Sequence, residues 1–201
     1  REFSVRLRGI PLSHEEMQTH VHGRNNKYTF EYLLGRPVDD EELPCFTDGK
    51  EDIYRKLCLA SGERFHLSPG AEKLLDSLAA LNIPRAIATA MEISNIEFFI
   101  KHFELLKWFE RNKIVYDDGS HQGKPAPDIY RIACWRLGLK PEECVVVEDS
   151  KSGIASAHAA GIGCIIALGE KAKHEELRAL PGVSFAIESL AELDAKQLFA
   201  R

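Results

Sequence analysis

The chain of 201 residues lacks the apolar run of about 18 residues that a membrane-spanning helix requires. Its longest apolar stretch, residues 153–169, is interrupted by His158 and by glycines, so it divides better into a helix and a strand. We therefore expect no membrane partner. The chain also lacks internal repeats and low-complexity segments, which excludes repeat architectures and disordered tracts.

A surplus of positive charge is missing as well. The formal net charge is −5, the isoelectric point is near 5.9, and charged residues of both signs are interspersed along the chain. Such a sequence offers no basic field for nucleic acid or for an anionic surface, so we expect no nucleic-acid partner.

The sequence also lacks cysteines spaced as in redox motifs or metal sites. The five cysteines are odd in number, and no two of them have the C-x-x-C spacing of redox motifs and metal sites. We interpret them as buried free thiols in a reducing compartment, which predicts a cytoplasmic protein. They are Cys45, Cys58, Cys134, Cys144 and Cys164.

The first third of the chain has a helical, polar-faced pattern. Residues 13–16 and 39–42 combine a capping residue with acidic residues, which is typical of helix N-termini. Between such stretches lies the polar segment 23–27, which begins with a glycine and contains several hydrogen-bond donors. A solvated turn is one interpretation of this segment, and a loop that contacts an anionic ligand is the other.

From about Pro69 onward, short apolar strands alternate with amphipathic helices. This alternation predicts an α/β fold, namely a three-layer sandwich around a parallel, Rossmann-like sheet. The strands are expected near residues 86–89, 113–116, 145–147, 164–168 and 184–187, and the helices near 71–81, 92–103, 129–137, 154–160 and 190–199.

Polar residues of different chemistry follow three of these strands. Thr89 supplies a hydroxyl, Lys124 an ammonium, and Glu148 and Asp149 two adjacent carboxylates after a strand that we expect to be buried on both faces. Ligands of parallel sheets bind at the carboxyl ends of the strands, where these groups would meet. Carboxylates at that position suit Mg²⁺, and Lys124 and Thr89 suit phosphoryl oxygens. Each residue alone has a simpler explanation as a helix cap or a surface group, so the prediction depends on their combination.

Three segments resemble motifs of the haloacid dehalogenase superfamily, and within it of the beta-phosphoglucomutase-like phosphatases that have a small helical cap. Residues 86–90 (AIATA) resemble the second motif, residues 123–130 (GKPAPDIY) the third, and residues 145–153 (VVVEDSKSG) the fourth. The resemblance covers nearly the whole chain. It implies that residues 1–66 are an incomplete helical cap and that residues 67–201 are the α/β core.

The resemblance also implies roles for individual residues. Lys124, Thr89 and Asp149 would be catalytic, and Glu148 and Asp149 would bind Mg²⁺. The phosphorylated substrate would be bound by residues of the core and of the cap loop: Thr89, Ala90, Lys124, Arg24 and Asn26.

The first motif of the family, a spaced pair of aspartates after the first strand, is missing. Neither residues 117–119 nor residues 46–49 replace it, because the former read as a turn and the latter lack a preceding strand. Since the chain begins with Arg1 inside the cap, truncation is the explanation that we expect. The first strand would lie in the middle of the sheet, so we expect a gap there and a chain that is unstable or inactive alone.

The resulting hypothesis is a Mg²⁺-dependent phosphohydrolase of a small phosphorylated metabolite, active through an aspartyl phosphate in the full-length parent. A phosphomutase of the same family and a non-catalytic protein that binds a phosphorylated ligand are the alternatives. A plain structural α/β domain explains the motifs singly but not jointly. We expect a monomer or a weak homodimer.

Overall fold

The computed structural model describes residues 2–200, which divide into two compact units, residues 2–65 and 66–200. The first unit is entirely helical, and its helices are α1 (Glu2–Arg8), α2 (His14–His20), α3 (Asn26–Leu34) and α4 (Glu42–Ala60). We call this unit the helical unit. We call the second, which contains every strand of the described chain, the α/β unit.

Local sequence signals determine where the helices of the helical unit begin. Ser13 accepts a hydrogen bond from the backbone N–H of Glu16, and the Glu16 carboxylate accepts one from the N–H of Ser13, which is a complete capping box. The Asn25 side chain caps α3 by accepting a single hydrogen bond from the backbone N–H of Tyr28. A small apolar core is centred on Phe30, which is fully buried.

The α/β unit alternates helices and parallel strands, as the sequence pattern predicts. Its strands are β1 (Ile87–Ala88), β2 (Ile114–Val115), β3 (Val145–Glu148), β4 (Cys164–Leu168) and β5 (Val183–Ile187). Its helices are α5 (Ala71–Ala80), α6 (Ile93–Phe103), α7 (Asp128–Leu137), α8 (Lys151–Ala160), α9 (His174–Arg178) and α10 (Ala195–Leu198). The predicted fold class is thereby confirmed, with every strand pair parallel.

The strands form two separate sheets. One contains β1 and β2, and the other has the order β3-β4-β5. One apolar core nevertheless extends over both sheets, because Val115 of β2 packs in the same cluster as Ile165 of β4. The gap that the sequence analysis predicts within the sheet is present: among residues 2–200, no strand pairing joins the two sheets.

Two expectations about this unit are wrong. Val147 in β3 is 36% exposed rather than buried on both faces, because β3 has a hydrogen-bonded neighbour on one side only. The closing helix expected at 190–199 is split into a 3₁₀ turn at Leu190–Glu192 and the short α10. The reason is that Ser189 caps the turn and Asp194 caps α10, so two helix starts lie within six residues.

The cysteines also differ in part from expectation. Cys134 is buried, but Cys45 is exposed and the other three are partly exposed. All five are free thiols. Among the described residues, no helix is both long enough and apolar enough to span a membrane.

Candidate active site at the strand ends of the α/β unit

Lys124 and Glu148 form a buried ion pair at the carboxyl ends of β2 and β3. Lys124 lies in the loop that connects β2 to α7, and Glu148 is the last residue of β3. Both residues are only 7% exposed, and Lys124 Nζ donates to Glu148 Oε1. Both residues were predicted to lie in one site, and the structure brings them into direct contact.

Both oxygens of the Glu148 carboxylate accept further hydrogen bonds, from donors in its own turn and in α7. Oε1 also accepts the hydroxyl of Tyr130 at 2.9 Å. Oε2 accepts the backbone N–H groups of Asp149 and Ser150, each at 2.9 Å, and the Ser150 hydroxyl at 3.0 Å. Burial by itself would raise the pKa of Glu148, but the Lys124 charge and these hydrogen bonds hold it below its usual range. Glu148 is therefore ionised and acts here as the counter-ion of Lys124.

Tyr130 supports both members of the ion pair. Its hydroxyl donates to Glu148, and Lys124 Nζ lies 5.1 Å from the centre of its ring, within the range of a cation–π contact. Burial, and then the neighbouring Glu148 charge, raise the pKa of the Tyr130 hydroxyl, so it stays a hydrogen-bond donor.

Tyr130→Phe is expected to lower the free energy of unfolding by about 1.5 kcal/mol, because it removes one hydrogen bond to a buried charged group and keeps the ring. Urea unfolding measures the difference. Tyr116→Phe is the control, since Tyr116 packs in a different apolar cluster. Equal losses in the two variants would show that the Tyr130 hydroxyl has no special role.

Gly153 provides the space in which the Glu148 carboxylate lies. It is the third residue of α8, and a Cβ built on it would lie only 1.8 Å from Glu148 Oε1. Its backbone N–H also donates to the capping Ser150 hydroxyl at 3.0 Å. Any side chain at position 153 would displace the carboxylate from its donors.

Gly153→Ala is accordingly expected to destabilise the chain by about 2 kcal/mol, although alanine favours helices more than glycine does. Thermal and urea unfolding would measure the loss. Lys151→Ala, an exposed change in the same helical turn, is the control and should have little effect. An unchanged or increased stability of Gly153→Ala would contradict the close approach of Glu148.

Thr89 and Ala90 follow β1 at the same end of the strands. The Thr89 N–H donates to the carbonyl of Val115, which extends the pairing of β1 with β2. The Thr89 hydroxyl accepts the N–H of Met91 at 3.2 Å. A hydroxyl that accepts one hydrogen bond still has a proton that it can donate, for example to a phosphoryl oxygen.

Arg24 and Asn26 lie in the helical unit. The Arg24 guanidinium lies 4.6 Å from the centre of the Tyr28 ring, and its Nε donates to the carbonyl of Thr19 at 3.4 Å. The amide of Asn26 is buried and donates to Glu51 Oε1 at 2.9 Å, which links α3 to α4. Asn26 thus has a structural role within its unit, and substrate binding by the two residues stays a prediction.

The arrangement in the α/β unit combines a buried lysine, an anionic partner, a hydroxyl and a second carboxylate at the carboxyl ends of parallel strands. A family model described as haloacid dehalogenase-like hydrolase matches residues 2–161, which is most of the chain. The chain belongs to the haloacid dehalogenase-like hydrolases.

Relatives within this family support the assignment. The bifunctional riboflavin kinase/FMN phosphatase of Arabidopsis thaliana is 37% identical over 125 residues, which are 62% of this chain and 32% of that protein. Protein CbbY of Cereibacter sphaeroides is 33% identical over 165 residues, covering 81% of this chain and 70% of CbbY. The chain therefore spans about a third of the first relative and about two thirds of the second.

Solved structures of the family have the same fold. A family IA, variant 3 hydrolase of this type from Entamoeba histolytica matches with a TM-score of 0.84 and 36% identity, over 98% of this chain and 86% of that one. A beta-phosphoglucomutase from Clostridium difficile matches with a TM-score of 0.79 over 98% of this chain and 85% of that one. At 20% identity, the second likeness shows the fold alone.

Members of this family are expected to use Mg²⁺, and Asp149 is the residue of this chain that best fits such an ion. The residue is exposed, and it lies next to Glu148, whose carboxylate oxygens already accept hydrogen bonds from the protein. Partial burial of its own carboxylate, and then the Glu148 charge, raise the pKa of Asp149, so a cation beside it would stabilise the ionised form. Within residues 2–200, no group of three or more histidine, cysteine, aspartate or glutamate side chains is arranged to hold a metal ion. Asp149 can thus supply one carboxylate ligand, and Mg²⁺ commonly takes its other ligands from water and substrate phosphate.

Three residues of the site were not predicted from the sequence: Tyr130, Ser150 and Gly153. All three lie within the segments that resemble the third and fourth family motifs. The apolar pattern of α7 made Tyr130 indistinguishable from a core aromatic residue, and Ser150 was part of an ordinary turn. The glycine five residues after Glu148 was the one available signal of a close approach.

Proposed function

We propose that this chain carries the phosphate-binding part of a Mg²⁺-dependent phosphatase that acts on a small phosphorylated metabolite. The observation that carries the proposal is the buried ammonium of Lys124, which Glu148 and Tyr130 hold at the carboxyl ends of the parallel strands. A buried cation at that position is suited to bind a phosphoryl group and to stabilise the charge that builds up on it. The names of the relatives above, which include an FMN phosphatase, agree with this chemistry.

In the proposed site, Lys124 contacts one phosphoryl oxygen while the Thr89 hydroxyl and the Ala90 N–H donate to others. Of the two carboxylates predicted to bind Mg²⁺, Asp149 is the proposed metal ligand. Glu148 instead keeps Lys124 charged and in place, because both of its oxygens already accept hydrogen bonds from the protein. When bound, Mg²⁺ would neutralise phosphoryl charge and orient the group for in-line attack. Substrate selection by Arg24 and Asn26 of the helical unit is part of the proposal.

The proposed nucleophile is an aspartate of the first family motif, which these 201 residues do not contain. Its carboxylate would form an O–P bond while the ester O–P bond breaks, and water would then hydrolyse the acyl phosphate. The proposal places this aspartate on a strand between β1 and β3, where the structure has no pairing. A reducing cytoplasmic setting, in keeping with five free thiols, is also proposed.

The test compares this chain with a version extended upstream through the first motif of its parent protein. Phosphate release from a panel of small phosphate esters is measured with Mg²⁺ and with excess chelator. We expect release by the extended chain alone and only with Mg²⁺. An extended chain that contains the aspartates, folds and releases nothing would refute the proposed reaction, and phosphate-ester binding without release would favour the non-catalytic alternative.

A further inference from the structure

Two of the five cysteines lie side by side although they are ten residues apart in sequence. The Sγ atoms of Cys134 and Cys144 lie 3.5 Å apart. Cys134 belongs to α7, and Cys144 is the residue immediately before β3. Cys134 is 4% exposed, whereas Cys144 is partly exposed and packs against the same core cluster. Neither residue belongs to the site described above.

The backbone holds both cysteines firmly in these positions. The Cys134 carbonyl accepts the N–H of Leu139 at 3.0 Å, just after the end of α7. The N–H of Cys144 donates to the carbonyl of Pro141 at 3.0 Å, and its own carbonyl accepts the N–H of Cys164 at 3.2 Å. The fold therefore places the two residues where their sulfur atoms can approach each other.

We propose that Cys134 and Cys144 are a modification site, a dithiol that a low-molecular-weight disulfide of the oxidised-glutathione class converts to an intramolecular disulfide. Cys144 is the entry point because it is the more accessible thiol. Its thiolate attacks the small disulfide, which gives a mixed disulfide and releases one thiol. Cys134 then attacks Sγ of Cys144 and releases the second thiol. Two S–H bonds are lost, one S–S bond forms, and two electrons and two protons pass to the small disulfide.

The consequence of this bond follows from the elements that it joins. Cys144 precedes the edge strand β3, which pairs with β4 on one side only, and Cys134 lies on a helix that packs against β1 and β2. The disulfide would link the two halves of the interrupted sheet through α7. It would stabilise β3 without touching Lys124 or Asp149.

The environment of the thiols determines the rate of the reaction. Burial, and then the hydrogen bond with Cys134, raise the pKa of the Cys144 thiol to about 12, and burial also raises the pKa of Cys134. Little thiolate is present at neutral pH, so closure is slow there. Its rate should rise about tenfold per pH unit between pH 7 and 9, since the thiolate is the reacting species.

The experiment treats the folded chain with oxidised glutathione, quenches with acid, alkylates the remaining thiols and digests with trypsin. Cleavage after Arg131, Arg136 and Lys151 places Cys134 in peptide 132–136 and Cys144 in peptide 137–151. We expect these two peptides to be joined, with a loss of about 2 Da in the intact chain and two of the five thiols protected from alkylation. The oxidised chain should also unfold at a higher temperature than the reduced chain.

Cys144→Ser, at a partly exposed position, should abolish both the linked peptide and the thermal shift, whereas the matched control Cys45→Ser should retain both. The same treatment of the chain unfolded in guanidinium should scatter the linkages over other pairs. Mixed disulfides at Cys144 that never close, or full alkylation of peptides 132–136 and 137–151 after oxidation at pH 9, would overturn the proposal. Because no substrate is used, the result is independent of the proposed phosphatase activity.

Discussion

Lys124→Met is expected to lower the free energy of unfolding by about 3–5 kcal/mol at neutral pH. The substitution keeps an unbranched side chain of similar length but removes the charge, which leaves the Glu148 carboxylate buried without its counter-ion. Removing one partner of a buried ion pair costs this much because the remaining charge cannot return to water. Tyr130 and the turn residues still donate to Glu148, which should keep the loss within this range rather than above it.

Urea unfolding of Lys124→Met, Glu148→Gln and the double variant forms a double-mutant cycle that isolates the pair. The double variant should lose less than the sum of the two single losses. The control is Lys151→Met, which breaks an ion pair with Glu176 whose members are both 57% exposed, and this change should cost under about 1 kcal/mol. Equal losses for Lys124→Met and Lys151→Met would contradict the buried pair.

The pH dependence provides a second check on the same pair. The pKa of Glu148 is lowered in the folded state, so the stability that it contributes is present above its unfolded pKa near 4.5 and is lost as the pH falls through the folded value. In Lys124→Met the carboxylate is buried without the lysine charge, so its pKa should rise and acid should relieve the unpaired charge. The stability difference between wild type and variant should therefore become smaller as the pH falls below about 6.

The motifs at the strand ends were readable from the sequence because each combines a short apolar strand with an unusual polar residue. Lys124, Glu148 and Asp149 were predicted to meet because each follows a strand of a parallel sheet, and Lys124 Nζ does donate to Glu148 Oε1. The spacing did not indicate which of the two adjacent carboxylates would pair with Lys124 and which would be accessible to a metal ion. The direction of the backbone determines this difference, since the Glu148 carboxylate accepts hydrogen bonds from its own turn whereas Asp149 is exposed.

The errors about the fold have a common physical origin in tertiary context. Three consecutive valines favour a strand with two buried faces, yet burial of Val147 depends on a neighbouring strand that the described chain does not place beside β3. The apolar pattern of residues 190–199 likewise suits one helix. The capping side chains of Ser189 and Asp194 instead form hydrogen bonds that start two separate turns.

Asp149→Asn is expected to lower the phosphatase activity of the extended chain by about 10²–10³-fold, the usual loss when one group that stabilises developing charge is removed. Asparagine retains an oxygen ligand but not the negative charge that a divalent cation requires. The same variant should be slightly more stable than wild type without metal. The reason is that the pKa of Asp149 is raised by partial burial and by Glu148, which disfavours the ionised form. Because the residue is partly in contact with water, which screens its charge, the gain in stability should be small.

The sign of the stability difference separates this explanation from a general loss of structure. Since the folded state holds the Asp149 proton more tightly than the unfolded state, wild type should gain on the variant as the pH falls through the folded pKa, and the two should converge in acid. Mg²⁺ at a hundred times its dissociation constant should stabilise wild type by about 2.7 kcal/mol and leave Asp149→Asn unchanged. Equal stabilisation of both by Mg²⁺ would mean that the ion binds elsewhere. A variant that is less stable at every pH would show that Asp149 supports the turn after β3 and not a cation.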